Sequence, residues 1–266
     1  MYNEPLLNQD IKSLLMSLLC GVLIIILDRL YLFLRRKFKA FRYKKIFGKD
    51  ILNKYSIVYG KMQLIKPYDN SGQVMQYPYT KSNGSRFRIS APVSFTETKS
   101  AKYISDSISK NTKSTATIIS DEEIAHKLDL SYCSLGGYNN LKTIDVLKAD
   151  NNYYVDIDIE NEAKIISKLN NSDFYSIDGT YDYAVIIKLK NRNFPQRTQI
   201  CVAGLGESGT SGASWLLANK WKELLKKVGR KDFGCIVRVK FGTDESAEIV
   251  KIITYKDYKK NRITIN

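Results

Sequence analysis

The chain has 266 residues and a formal net charge of +15 at pH 7, of which +7 falls within the first 49 residues. The remainder is only mildly basic and has no dense basic stripe, which argues against a specific nucleic-acid partner. A single histidine, His126, excludes a His-rich metal site. Four scattered cysteines without a C-x-x-C pair indicate reduced core residues in a cytosolic domain.

The first predicted element is a membrane anchor. Ser13–Leu27 is a run of fifteen uncharged residues, and after Asp28 and Arg29 the apolar pattern resumes. A helix over residues 13–34 would be about 33 Å long, enough for a hydrocarbon core of about 30 Å. Seven of the eleven residues in Arg35–Lys45 are basic. This flank favours anionic lipid and predicts that the following domain is cytoplasmic.

Two alternatives to the anchor stay open, a buried or interfacial helix and a cleaved signal peptide. The acidic start, with Glu4 and Asp10, and the bulky basic residues after the run are atypical of a signal peptide. Asp28 and Arg29 lie at the cytoplasmic interface or, alternatively, form a contact in a homo-oligomer. The chain is therefore expected in the cell membrane. Its predicted organisation is an extracytoplasmic N-terminus at 1–12, a transmembrane helix at 13–34, a basic juxtamembrane linker at 35–53 and a cytoplasmic ligand-binding domain at 54–266.

Strands alternate with helices after the linker, and Lys66–Ser85 is expected to be loop or irregular hairpin. Strands are predicted over Tyr55–Ile65, Phe87–Phe95, Thr115–Ile119, Leu128–Leu135, Tyr153–Ile159, Tyr181–Leu189, Arg197–Ala203, Cys235–Phe241 and Glu248–Tyr255. Helices are predicted over Thr96–Lys110, Ser120–Glu123, Asn139–Lys148 and Thr210–Val228. The fold class is therefore α/β, with a single transmembrane helix followed by a Rossmann-like mixed-sheet domain that ends in a β-hairpin.

The first of two glycine loops is Ser134–Asn140 (SLGGYNN), where a strand gives way to a helix. Glycines at such a point permit positive φ and a close backbone approach. Asn139 or Asn140 can cap the following helix, and the free amides of the loop can then cradle an anion. The alternative is a tight strand-to-helix turn whose asparagine has only a capping role.

The second loop, Gly204–Ala213 (GLGESGTSGA), contains G-x-G-x-x-G after a predicted strand and before a predicted helix. That is the context of a dinucleotide fingerprint, but the fingerprint normally opens a parallel unit with an acidic residue about 20 positions on. Here Glu223 lies within a helix and the next strand enters a hairpin. A redox dinucleotide is therefore a less favoured ligand than a phosphate or a ribose. Glu207 could accept a hydrogen bond from a ribose hydroxyl. A purely structural turn stays open.

Both loops follow strands, so both are expected at the carboxyl edge of the sheet, where open α/β sheets bind ligands. The expected ligand is small, anionic and nucleotide-like, and its identity stays unknown. Arg192 and Arg197 are either phosphate contacts or solvated loop charges. The residues expected to bind the ligand are Ser134, Gly136, Gly137, Asn139, Thr143, Gly204, Gly206, Glu207, Gly209, Thr210 and Ser211.

The order S-L-G-G-x-N-N-x-K-T, Y-A-V-I-I-K and I-C-V-A-G-x-G-x-x-G-T-x-G-A resembles a family of bacterial and archaeal Rossmann-like domains. Some of those domains are similar to nucleotide-sensing modules fused to membrane segments in prokaryotic conflict and antiphage systems. The resemblance covers roughly residues 55–240. It implies signalling in antiviral defence and a ligand site at Gly136, Gly137, Asn139, Thr143, Gly204, Gly209 and Thr210.

Carboxylates are candidate catalytic residues because nucleosidases on related sheets use one as nucleophile. The candidates are Asp121, Glu122, Glu123, Asp178 and Glu207, but the first three begin a predicted helix and Asp178 lies in a turn signature. The catalytic residues thus stay unknown. The leading hypothesis is a membrane-anchored sensor or effector that binds a nucleotide-type ligand. The alternatives are a membrane-tethered enzyme acting on nucleotides or nucleosides, and a protein-binding scaffold.

Overall fold

The computed structural model describes residues 4–62, 79–80, 86–87, 93–150, 153–157, 163–168 and 170–254. The chain divides into two compact units, residues 1–42 and 43–266. Most of the first unit is helix α1, Glu4–Phe47, which continues into the second unit.

Helix α1 is exposed on every side from Ile11 to Tyr31. An apolar helix without a polar face is typical of a lipid-facing segment and unlike the helix of a soluble surface. By length and composition, the stretch Ile11–Phe47 can cross a membrane. The basic segment predicted as a linker is helical as far as Phe47, and a 3-10 turn follows at Lys49–Leu52.

The second unit contains twelve described strands and four further helices. The strands are β1 Ser56–Tyr59, β2 Tyr79–Thr80, β3 Arg86–Phe87, β4 Thr117–Ser120, β5 Tyr132–Leu135, β6 Tyr153–Ile157, β7 Ala163–Ser167, β8 Asn170–Ser176, β9 Tyr181–Lys190, β10 Thr198–Gly204, β11 Phe233–Lys240 and β12 Thr243–Thr254. The helices are α2 Phe95–Thr112, α3 Leu141–Ala149, α4 Glu207–Asn219 and α5 Trp221–Val228, and a second 3-10 turn lies at Glu122–Ile124.

Seven strands form one mixed sheet in the order β12-β11-β9-β10-β5-β1-β4. Strands β4, β1, β5 and β10 are parallel, whereas β9, β11 and β12 each run antiparallel to their neighbours. The predicted α/β class with a mixed, Rossmann-like sheet and a C-terminal strand pair is confirmed. Two smaller sheets, β2-β3 and β6-β7-β8, accompany it.

The central strands are buried on both faces, which explains their continuous apolar runs. Alternate residues enter different cores, so that Ile57 and Cys133 pack on one face while Val58 and Tyr132 pack on the other. The first core also holds residues of α2, α4 and α5, and the second holds residues of α3, β6 and β7. The sheet is therefore the middle of three layers.

The last turn of α1 belongs to the first core. Tyr43, Ile46 and Phe47 are fully buried, and the Tyr43 ring stacks on Phe47 and meets Trp221 edge-on at 5.1 Å. The buried Lys188 ammonium donates to the carbonyl oxygen of Lys45 at 2.7 Å, which satisfies a carbonyl at the C-terminus of the helix. Burial lowers the pKa of Lys188 to about 8.

Several predicted elements differ from the structure. The single helix expected over Thr210–Val228 is two helices, because Lys220 ends α4 and its carbonyl begins α5. Strand β5 starts only at Tyr132, and Phe95 begins a helix instead of ending a strand. The predicted loop Lys66–Ser85 and the extended piece before Phe95 lie largely outside the described residues.

Candidate functional site

The strand order contains a switch point at β1. The chain passes from β1 through α2 to β4 on one side, and then returns to β5 on the other side of β1. In open α/β sheets ligands bind at such a point, beyond the carboxyl ends of the strands. Gly60 follows β1, the loop Gly136–Asn140 follows β5, and Gly204 ends β10 at this same edge.

The two glycine loops are adjacent. A β-carbon added to Gly137 would lie 3.9 Å from the carbonyl oxygen of Gly204. A β-carbon added to Gly60 would lie 2.8 Å from the carbonyl oxygen of Asn139. The loops after β1, β5 and β10 therefore form one continuous surface, as expected for loops that follow parallel strands.

Buried side chains hold the first glycine loop, Gly136–Asn140, in place. Asn140 caps α3, since its Oδ1 accepts from the backbone of Lys142 at 2.9 Å and its amide donates to the carbonyl oxygen of Leu135 at 2.8 Å. The Thr143 hydroxyl oxygen lies 3.0 Å from both the Ser134 hydroxyl oxygen and the Gly136 carbonyl oxygen, within hydrogen-bond distance of each. Because Ser134 and Thr143 are fully buried, they shape the loop and do not face a ligand at its surface.

Glu97, which is not among the predicted site residues, also lies at the switch point. Its carboxylate accepts from the Gly60 backbone and from the Asn139 side chain, both at 2.8 Å, and the residue is 3% exposed. Burial raises the pKa of Glu97, against the lowering effect of these two hydrogen bonds. The sequence signal for Glu97 is a helix-capping pattern, because Ser94 caps α2 and Glu97 follows three positions later.

The Asp121 carboxylate lies at the N-terminus of α3, although Asp121 itself precedes the 3-10 turn Glu122–Ile124. Its Oδ2 accepts from the Leu141 backbone at 2.9 Å, and its Oδ1 accepts from the Lys61 backbone at 3.0 Å. A carboxylate at a helix N-terminus is stabilised by the unpaired N–H groups there. This position gives Asp121 a structural role that joins the loop after β1 to α3.

Asp182 fills the second glycine loop. Its carboxylate accepts from the backbone N–H groups of Gly206 at 3.1 Å, Gly209 at 2.6 Å and Tyr183 at 2.7 Å. The residue is fully buried. Burial raises its pKa, although the three N–H groups favour the charged form. Amides that a dinucleotide fingerprint presents to a phosphate thus bind a carboxylate of this chain.

The remainder of the second loop is tightly closed. The Gly204 backbone donates to the Thr210 hydroxyl at 3.0 Å, and a β-carbon at Gly204 would overlap the Thr210 backbone nitrogen. The Ser211 hydroxyl donates to Asp244 at 2.6 Å. The close approach of backbone to backbone explains why glycine is needed at position 204.

Exposure separates the predicted site residues into two groups. Gly137, Asn139, Gly204, Gly206 and Glu207 are half-buried or exposed and form the open surface of the edge, where the exposed ring of Tyr138 joins them. The buried group supports the two loops and consists of Ser134, Gly136, Thr143, Gly209, Thr210 and Ser211.

Arg192 and Arg197, expected as either phosphate contacts or loop charges, are remote from this surface. They flank the turn before β10, whose seven residues place about 20 Å between that turn and Gly204. Arg197 pairs with Asp129 at 2.6 Å and with Asp50 at 2.9 Å. The interpretation of Arg197 as a phosphate contact is therefore wrong, because this position puts it in ion pairs at the opposite edge.

The other candidate side chains are those of His126, Asp178 and the cysteines. His126 is exposed on the segment after the 3-10 turn, and Asp178 accepts from the Thr180 and Tyr181 backbones in an exposed turn. Burial raises the pKa of the Cys133 thiol to about 12, so that it is protonated at neutral pH.

Three buried carboxylates, those of Glu97, Asp121 and Asp182, thus bind loop amides along the edge. No group of three or more metal-ligating side chains occurs in the part of the chain that the structure describes. Comparisons with protein-family models and with curated proteins find no match to this chain.

Proposed function

We propose that this chain is a single-pass membrane protein whose cytoplasmic Rossmann-like domain binds a nucleotide-type ligand and acts as a sensor or effector. The observation that carries the proposal is the proximity of the two glycine loops, at Gly137 and Gly204, beside the switch point. Three helices, α2, α3 and α4, begin at this edge. The resemblance of the loops to modules of prokaryotic antiphage systems motivates the signalling role.

The exposed groups suit the parts of a nucleotide. A base can stack on the exposed Tyr138 ring. The exposed Glu207 carboxylate can accept from a ribose hydroxyl. A phosphate at the N-terminus of α4 must either bind outside the loop or displace Asp182, because that carboxylate holds the amides of Gly206 and Gly209.

Helices α2 and α4 connect this edge with the end of α1. Near the edge the Ser100 hydroxyl bonds to the Thr210 carbonyl oxygen at 3.5 Å. Farther along both helices, Ser107 donates to the Ala218 carbonyl oxygen at 2.7 Å and accepts from the Tyr43 hydroxyl at 3.0 Å. A ligand that shifts the first turn of α4 therefore acts on a helix pair bonded to α1. This supports transmission of the binding event to the anchor.

The test is thermal unfolding of the full chain in detergent micelles against a panel of nucleotides and cyclic nucleotides, since a bound ligand raises the apparent stability. The site variant is Gly137→Val. The matched control is Gly179→Val, because a β-carbon at the exposed Gly179 meets no atom within 4 Å.

At least one ligand of the panel is expected to raise the melting temperature of the wild type and of the Gly179 variant, and to leave the Gly137 variant unchanged. A panel without any response would refute ligand binding of this class. An equal response from the Gly137 variant would place the ligand elsewhere.

The buried Glu97 carboxylate supports a second candidate, a membrane-tethered enzyme that acts on the same ligand. A carboxyl group whose pKa is raised by burial is suited to general acid catalysis. Product analysis after incubation of the responding ligand with the wild type and with Glu97→Gln tests this function. Absence of turnover in the wild type would refute the enzyme and leave the sensor or effector as the proposed function.

A further inference from the structure

The segment of α1 just before the second unit is strongly basic and carries its charges on several sides. Its cations, which we call the basic collar, are Arg35, Arg36, Lys37, Lys39 and Arg42. Consecutive helical residues are about 100° apart, so that Arg35, Arg36 and Lys37 point in three different directions. Between Asp28 and Asp50 the sequence has no acidic residue.

Aromatic side chains alternate with the basic collar. Lys37 lies over the Phe33 ring at 5.4 Å, and Arg42 lies over the Phe38 ring at 6.0 Å. Phe38 is 64% exposed and Phe41 is 50% exposed. Exposed rings among cations at the end of an apolar helix are suited to the headgroup region of a bilayer, where one side of the ring meets hydrocarbon and the other meets polar groups.

We infer that the basic collar is a binding surface for anionic phospholipid headgroups. A protein partner or a nucleic acid would cover one face of the helix, whereas the exposed cations Arg35, Arg36 and Lys37 point in three directions. The apolar residues immediately before it are exposed on all sides as well. The anions available all round a helix at that position are lipid headgroups, and each cation near such a surface favours association by about fivefold. This inference rests on the membrane insertion of α1 in the proposed function.

The experiment uses the full chain in nanodiscs with equal amounts of phosphatidylglycerol and phosphatidylcholine, and native mass spectrometry counts the lipids that stay bound. The collar variant is Arg35→Gln/Arg36→Gln/Lys37→Gln. The matched control is Lys110→Gln/Lys148→Gln/Lys231→Gln, which removes the same charge from exposed positions of the second unit.

The wild type and the control are expected to carry the anionic lipid with about fivefold enrichment. The enrichment is expected to fall in the collar variant, which keeps only Lys39 and Arg42 of the collar. The enrichment of the wild type should also fall when salt is raised from about 0.05 M to about 0.5 M, because salt screens exposed charges. Equal lipid amounts on the wild type, or enrichment as large in the collar variant as in the control, would overturn the inference.

Alkaline carbonate extraction of membranes distinguishes this failure from failure of the proposed anchor. A chain released by carbonate is not inserted, which refutes the anchor itself. A chain that stays in the membrane without a preference for the anionic lipid refutes only the headgroup surface.

Discussion

The carboxylate of Asp182 should be a major stabilising group of the second glycine loop. Asp182→Ala leaves the N–H groups of Gly206 and Gly209 without their acceptor. An unsatisfied buried donor costs about 1–3 kcal/mol. Gly209 is buried, whereas Gly206 is half-buried and can recover water, so we expect a loss of about 3 kcal/mol in the free energy of unfolding. For a unit of this size that corresponds to a melting temperature lower by about 6–12 °C.

Differential scanning calorimetry of the full chain in micelles measures this loss, with Glu245→Ala as a control that removes an exposed carboxylate. Added inorganic phosphate should raise the melting temperature of Asp182→Ala and leave the wild type unchanged, because only the variant has free amides at the start of α4. A melting temperature of Asp182→Ala within about 1 °C of the wild type would show that these hydrogen bonds contribute little.

Three further predictions concern the core and the switch point. A chain of residues 49–266 lacks the three buried side chains of the last turn of α1 and should lose about 5–9 kcal/mol in the free energy of unfolding. Thermal unfolding followed by circular dichroism should therefore be cooperative for residues 35–266 and not for residues 49–266. Equal cooperativity of the two chains would exclude α1 from the core. Gly212→Ala places a β-carbon 2.5 Å from the Val239 side chain and should cost about 1–3 kcal/mol in urea unfolding. Because burial raises the pKa of Glu97 above its ordinary 4.5, the folded chain binds the proton more tightly, and stability falls as the pH rises from 4.5 through the folded pKa. Glu97→Gln should remove that fall, and parallel urea midpoints across the pH range would contradict this.

Elements whose apolar pattern is strong were predictable from the sequence. Strands β9 and β10 contain the continuous apolar runs AVII and ICVA, and the helical spacing of Ala101, Ile104 and Ile108 marks α2. Strands β7 and β8 were missed, since a segment such as NNSDFYS has the composition of a loop and is ordered by pairing with its neighbour. The break at Lys220 carries no glycine or proline signal and depends on the packing of Trp221.

The site was predictable at the level of loops and not at the level of their hydrogen-bond partners. The position of Gly137 and Gly204 after parallel strands is enough to bring them to one edge. The sequence does not specify that Asp182, 27 residues before Gly209, fills the second loop. A charged residue at the start of a buried strand is the one available signal, because such a residue needs a partner.

This internal carboxylate gives the proposed sensor a physical basis for a switch. With Asp182 bound, the start of α4 is fixed to β9 by two hydrogen bonds, and no ligand is needed to satisfy those amides. A phosphate that takes its place releases a buried carboxylate, whose raised pKa reflects the cost of its charge. Two arrangements of α4 then compete, and a ligand shifts their populations by its difference in affinity for them. Because Ser107 bonds both to Ala218 of α4 and to Tyr43 of α1, the last turn of α1 is the element to which the proposed competition is linked.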